Sequence, residues 1–254
     1  MQDIQDIDVA RNTEETVISR VAQPVEGKTL GSRVYDQLRD DIVAGNLAPG
    51  QRLTLGSLKE RYVVGVTPLR EALYRLTSSM LVMVEDQRGF RVAPISVEHL
   101  KDITSSREHI ETLVLRDAFQ RGGDLWKKRV YIAFEQLLHT PMHSPPNGLI
   151  TREWEVEHRS FHQAVLSSAQ SPALMHFQKM LWDHAARYRN IVAPNLLLEN
   201  DLNTEHEALV RAIADRDVEM ACMVLRRHII GAAEPVLRAL VSSNNNTALI
   251  FEKI

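Results

Sequence analysis

Four histidines carry the chemistry most legible in this chain. His158 and His162 stand four residues apart in Glu157-His158-Arg159-Ser160-Phe161-His162. On a helix that spacing projects both imidazoles from one face, one turn apart. His206 and His228 lie in two apolar-periodic stretches, Glu205 to Ala214 and Val218 to Leu240, joined by Asp215-Arg216-Asp217. A connection that short folds two helices antiparallel. His206 falls about ten residues before it and His228 about ten after, so at roughly 1.5 Å rise per residue the two reach nearly one height. One helix and a neighbouring helical hairpin can thus bring four imidazoles to a common point. Neutral imidazole is a preferred ligand for zinc, nickel, copper and iron. Zinc is the first expectation, with nickel and manganese as alternatives. The other histidines, His99, His109, His139, His143, His176 and His184, are expected to be surface or hydrogen-bonded residues.

Hydrolytic chemistry needs more than ligands. A zincin places its general base in His-Glu-x-x-His, whereas here Arg159 and Ser160 fill the polar positions between the two histidines. No P-loop, Rossmann glycine pattern or Gly-x-Ser-x-Gly elbow is present. The chain is therefore not expected to be an enzyme. A metal-dependent hydrolase and a structural metal-binding helical protein stand as alternatives to a ligand-binding regulator.

The elements that position these residues occupy the second half. From Ser96 the sequence reads as helical: Val97 to Ala118, Trp126 to Leu138, Arg152 to Ser168 carrying the first histidine pair, Ser171 to Ile191, then the hairpin. His139 to Gly148, with its prolines, reads as a loop, and Ser242 to Asn246 as a flexible break before a tail. The 254 residues suit two modest domains. The lone Cys222 excludes a disulfide framework. No apolar run approaches a membrane span, so a cytoplasmic location is expected. Residues 1–27 lack periodicity and read as a mobile arm.

Charge is unevenly spread. Residues 28–94 carry ten basic and seven acidic side chains, the only net-positive segment in a chain of net charge −3, which points weakly to nucleic acid. The same segment has an ordered pattern of elements. A helix from Ser32 to Ala44 ends at Gly45-Asn46; a Pro49-Gly50 turn and a short helix Leu55 to Tyr62 follow. A third helix begins at Thr67-Pro68, with Thr67 as expected N-cap and Pro68 as first helical residue. Leu81 to Glu85 and Phe90 to Ala93 form a hairpin around Asp86-Gln87-Arg88-Gly89. Three helices and a hairpin make a winged helix-turn-helix, whose third helix enters the major groove. The DNA-contacting candidates are Arg33, Arg52, Thr67, Arg70, Arg75, Arg88, Gly89 and Arg91. Arg70 can reach a guanine edge or a phosphate, and Thr67 a phosphate.

These pieces resemble the DNA-binding domain of GntR-type bacterial transcription factors, in Pro49-Gly50-Gln51-Arg52-Leu53, Thr67-Pro68-Leu69-Arg70-Glu71-Ala72-Leu73 and Arg88-Gly89-Phe90-Arg91-Val92. The remainder resembles the all-helical FCD domain of the FadR subfamily, in Arg107-x-x-x-Glu111, Phe161-His162, Glu205-His206 and His228. Two departures stand out. Gly56 and Val66 replace arginines that many relatives carry near the recognition helix, and His158 replaces an aspartate of the usual metal site. With Arg187-Tyr188-Arg189-Asn190-Ile191, these features are most similar to CsiR-type repressors of glutarate catabolism.

The resemblance implies a mainly α protein with a winged helix-turn-helix (28–95) and an all-helical metal- and effector-binding domain (96–241), between the flexible arm (1–27) and a tail (242–254) read from the residues themselves. It implies a homodimer that binds a pseudo-palindromic operator and is released by a small carboxylate. Glutarate is the first choice; other short dicarboxylates or hydroxy acids follow. Arg107 is the expected carboxylate grip, with Arg187 and Arg189 as further candidates.

Overall fold

The computed structural model describes residues 27–85, 89–144, 149–192 and 202–251. The expected arm up to residue 26 and the wing-tip residues Asp86, Gln87 and Arg88 lie outside the described residues. The chain divides into two compact units that meet in sequence at Pro94 and Ile95.

The first unit is a winged helix-turn-helix. Helix α1 (Leu30–Val43) starts where the Thr29 hydroxyl accepts the Ser32 N–H at 3.2 Å. It stops before Gly45, whose φ of 84° suits a residue without Cβ. Strand β1 (Arg52–Leu53), helices α2 (Leu55–Tyr62) and α3 (Val66–Ser78), and the hairpin of β2 (Val82–Glu85) and β3 (Gly89–Val92) follow. The sheet runs antiparallel in the order β1-β3-β2, with Val82 opposite Val92 and Glu85 opposite Gly89. Val34, Leu38 and Ile42 of α1 meet Leu69, Leu73 and Leu76 of α3 and Phe90 and Val92 of β3 in one core. Each such side chain stabilises the unit by about 1.5–3 kcal/mol through apolar burial.

The recognition helix α3 begins earlier than the sequence suggests. Its N-cap is Gly65, without a side-chain cap, and Val66 is its first residue. Thr67 is therefore inside the helix, and Pro68 is its third residue. Proline is as compatible there as at the first position, because no N–H of the first turn has an intrahelical acceptor. Ahead of it Val63 closes α2 in the left-handed region at φ 51°, a conformation that strains a β-branched residue.

The second unit is helical apart from one small hairpin. Helix α4 (Val97–Arg121) is capped by Ser96, whose hydroxyl accepts the His99 N–H at 3.1 Å. Helix α5 (Asp124–Leu138) follows, then β4 (His143–Ser144) and β5 (Leu149–Ile150). This two-stranded pairing falls in and beside the stretch expected to be loop throughout. Helix α6 (Arg152–Leu166) is capped by Thr151 and buries Trp154, His158, Phe161, His162 and Val165 along one stripe. Helices α7 (Pro172–Val192), α8 (Leu202–Ala214) and α9 (Val218–Phe251) complete the unit. Arg216, in the turn between α8 and α9 at φ 63°, donates to the carbonyls of Phe119 (2.8 Å) and Gly122 (2.5 Å) at the end of α4. Helix α9 continues through Ser242–Asn246, where the sequence predicts a break. Serine and asparagine cost a helix only about 0.5 kcal/mol each relative to alanine, and no glycine or proline stops it there. Among the described residues no helix is long and apolar enough to cross a membrane.

Candidate metal and effector centre

The four histidines converge. Helix α6 supplies His158 and His162, α8 supplies His206 and α9 supplies His228, all buried, with one ring nitrogen from each within 4.8 Å of the others. With bonds of about 2.0–2.1 Å to a tetrahedral zinc, ligand nitrogens stand about 3.3 Å apart, so ring shifts of up to about an ångström close the set around an ion. The level-matching of the hairpin is direct: the His206 and His228 ring centres are 4.7 Å apart, as are those of His158 and His162.

The nitrogens are left in a condition that a core of ordinary polar residues does not tolerate. Both ring nitrogens of His158, both of His206 and Nε2 of His162 are buried with no hydrogen-bond partner among the described residues. A buried polar atom without a partner costs about 1–3 kcal/mol. A cation satisfies acceptor nitrogens from several rings at once, so the donor set fits a borderline-soft divalent ion. Burial, reinforced by the neighbouring imidazoles, holds His158 and His162 well below the usual histidine pKa, and burial with His228 does the same for His206. They are neutral at pH 7, as ligands must be.

The fourth ring is oriented from outside. Glu205 of α8 accepts a hydrogen bond from Nδ1 of His228 at 3.0 Å, which leaves Nε2 of His228 as the atom that could ligate a metal. The His228 bond, and then Arg227 at 3.4 Å, hold the Glu205 carboxyl below its usual range. Aromatic walls pack the rings: Trp154 stacks on His158 at 4.4 Å, Phe161 meets His206 at 4.9 Å, and Trp182 of α7 meets His162 at 4.8 Å. Glu205 has no orienting role in the sequence reading, and Trp182 is not singled out there. For Trp154 a signal existed, since it precedes His158 by one helical turn on the same face.

Arg107 reaches this centre from α4. It is buried, with its guanidinium 5.1 Å from the Trp182 ring centre. Its Nε donates to Glu111 at 2.8 Å. Its terminal amino groups make no hydrogen bond among the described residues, which leaves the outer fork for a ligand. Arg189 is also at hand, and the charges of both arginines bear on His162. Two of the Arg189 nitrogens, however, are held by Glu155 at 2.9 and 2.8 Å. Arg187 is fully buried, its charge bears on His99 and Tyr188, and burial lowers its guanidinium to about 10. The structure therefore groups Arg107 and Arg189 with the histidines.

The candidates in the winged unit separate in the same way. Thr67 and Arg70 are exposed at the start of α3, and Arg70 has no partner among the described residues. Arg52 is exposed on β1 and Arg33 half-buried on α1. Gly89 adopts φ 93° at the root of the wing, with open space around it. Arg75 lies instead over the Tyr35 ring at 4.2 Å, near Ser32 and Glu71. Arg91 donates to Glu85 at 2.5 Å and to the Gly50 carbonyl. Both are engaged within their own unit. Arg88 is outside the described residues.

Comparison with known proteins extends these observations. The family model described as bacterial regulatory proteins, gntR family, matches residues 30–92, and that of the FCD domain matches residues 102–231. The chain is 34% identical over 214 residues to the HTH-type transcriptional repressor GlaR of Escherichia coli (strain K12), covering 83% of this chain and 96% of that one. It is 32% identical over 209 residues to the HTH-type transcriptional regulator BphR of Paraburkholderia xenovorans (strain LB400), covering 80% and 83%. The solved structure of E. coli McbR/YncC superposes with a TM-score of 0.69 at 21% identity, over 83% of this chain and 98% of that one, a likeness of fold.

Proposed function

Because the chain belongs to the GntR family of bacterial transcriptional regulators, with an FCD domain as its second unit, we propose that it is a metabolite-responsive repressor. It binds a pseudo-palindromic operator as a homodimer, each copy presenting one recognition helix. A small carboxylate, glutarate first and related dicarboxylates next, releases it.

The observation that carries this reading is the pairing of a buried four-imidazole cluster with an arginine whose outer fork is uncommitted. His158, His162, His206 and His228 would hold the ion. An all-imidazole set favours zinc or nickel over manganese, which prefers oxygen ligands. Such an ion supplies an uncompensated positive centre that accepts a carboxylate oxygen. Arg107 offers two parallel N–H donors to a carboxylate, and Trp154, Phe161 and Trp182 exclude water around it. A dicarboxylate, with an anionic group at each end, suits a site that is cationic at two places. Arg70 and Thr67 at the exposed start of α3 contact the duplex. For release, the effector must favour the state that does not bind the operator.

Gel shift on a fragment from the neighbouring promoter region tests the reading, with zinc-loaded protein and glutarate, succinate or 2-hydroxyglutarate added. Release by at least one of them is expected, and an operator complex indifferent to all three overturns the effector class. Elemental analysis of wild type against His162→Ala and His206→Ala tests the centre, and equal metal content in all three removes it.

A further inference from the structure

Tyr188 is fully buried on α7, yet its hydroxyl is fully engaged. It accepts the Ser96 N–H at 2.9 Å, donates to the Ser96 carbonyl at 3.1 Å, and meets Nδ1 of His99 at 2.9 Å. A phenol has one proton; with that proton on the Ser96 carbonyl, Nδ1 of His99 is the donor to the phenol oxygen. Ser96 is also the N-cap of α4. One residue thus receives both the first turn of α4 and the side chain of α7. It stands second in its unit, directly after the boundary at Pro94 and Ile95. The ring below the hydroxyl packs with Leu100 of α4 and with Val236 and Leu240 of α9.

The same two helices reach the ligand centre near their middles. Helix α7 places Trp182 against His162 and His158, about 9 Å along the axis from Tyr188. Helix α4 places Arg107 over that Trp182 ring, about 16 Å along its axis from Ser96. A helix with its backbone bonds intact transmits displacement along its length. A ligand that draws Arg107 towards the histidines would load the packing of α4 on α7, and Ser96 is where a side chain of α7 is hydrogen-bonded to the backbone at the start of α4.

We propose that Tyr188 is that joint: its hydroxyl ties α7 to the backbone of Ser96, so that occupancy of the ligand centre is felt where the chain enters the second unit. The proposal rests on the effector reading above and adds to it a positioning residue that touches neither metal nor effector. A phenylalanine at this place would fill the same apolar space and lose only the hydrogen bonds to Ser96 and His99.

The test compares zinc-loaded wild type, Tyr188→Phe and Ser96→Ala, with glutarate as the probe. Ser96→Ala loses the helix cap but keeps the backbone N–H and carbonyl that Tyr188 grips, so it controls for simple destabilisation. Three quantities are read: glutarate affinity, hydrogen exchange of residues 95–100 with and without glutarate, and the glutarate-induced change in operator affinity. All three proteins should bind glutarate within about threefold of one another. Glutarate should alter exchange at 95–100 and weaken operator binding in wild type and Ser96→Ala. In Tyr188→Phe the exchange change should vanish and the operator effect shrink by at least about fivefold, the lower end of ordinary allosteric coupling. Full release in Tyr188→Phe overturns the proposal, as does a wild type that releases its operator with no change at 95–100. A wild type indifferent to glutarate, succinate and 2-hydroxyglutarate alike overturns the proposal together with the effector reading, whereas a responsive wild type matched by Tyr188→Phe overturns the proposal alone.

Discussion

Substitution of Glu205 tests how the proposed metal centre is organised, because Glu205 is not itself one of the four histidines that would hold the ion. Its carboxylate accepts from Nδ1 of His228 at 3.0 Å and is only 8% exposed, so the bond is little screened by solvent. It fixes the tautomer of His228 and raises the basicity of the opposite nitrogen. Glu205→Gln keeps the volume and an acceptor oxygen but discards the charge. Glu205→Ala discards both and leaves Nδ1 of His228 to find another partner. Loss of such an outer contact costs about 10–100-fold in metal affinity, so Gln should fall near the lower figure and Ala near the upper. At saturating zinc the same factors remove about 1.4 and 2.7 kcal/mol of metal-derived stability. Competition titration of zinc against a chromophoric chelator reads the affinities. Fluorescence reads them independently, since Trp154 and Trp182 pack directly on His158 and His162. Unchanged zinc affinity in both variants would refute the idea that His228 ligates through Nε2 under the control of Glu205.

Arg70→Ala should weaken operator binding by about 1–3 kcal/mol if it meets a base edge, or lower the salt slope by about one if it meets a phosphate, as read by binding isotherms at several salt concentrations. Arg91→Ala should instead lower the melting temperature of the winged unit, because Arg91 serves Glu85 and Gly50; the reverse pattern would overturn the assignment. Val63→Gly should stabilise that unit by about 1 kcal/mol by relieving a left-handed β-branched residue, and a loss of stability in denaturant melts would contradict the strain. In the metal-free second unit, His158, His162 and His206 have pKa values held well below 6.5. The unfolded chain therefore takes up protons first as pH falls through 6.5. Stability present above that pH should drop below it by up to about 1.4 kcal/mol per pH unit for each histidine. All three tryptophans, Trp126, Trp154 and Trp182, lie in this unit, so fluorescence-detected melts between pH 8 and 5 report it selectively, and a flat profile would mean the rings are not buried neutral.

The four histidines were legible because each is placed by a local rule: a helical repeat for one pair, a short turn between two helices for the other. The winged unit was legible for the same reason, since its helices and hairpin announce themselves by apolar period and by Gly45. What could not be read was which arginines are committed. Arg75, Arg91 and Arg189 are taken by Tyr35, Glu85 and Glu155, and for Tyr35 and Glu155 the pairing crosses between helices. Thr67 misled because its type suits a cap, while the chain had already turned into the helix after Gly65. The tail misled because polar residues look like a terminus when nothing local shows that the preceding helix is free to continue.

The turn between α8 and α9 sets a dimension that the imidazoles themselves do not. His206 and His228 face each other across a bend that Arg216 anchors to the end of α4. One residue added between Arg216 and His228, with the start of α9 held, would swing His228 by about 100° and advance it by about 1.5 Å. The count of residues around this bend therefore sets the imidazole cluster as much as the rings do, and a change of length there would take the cluster apart without altering one of its histidines.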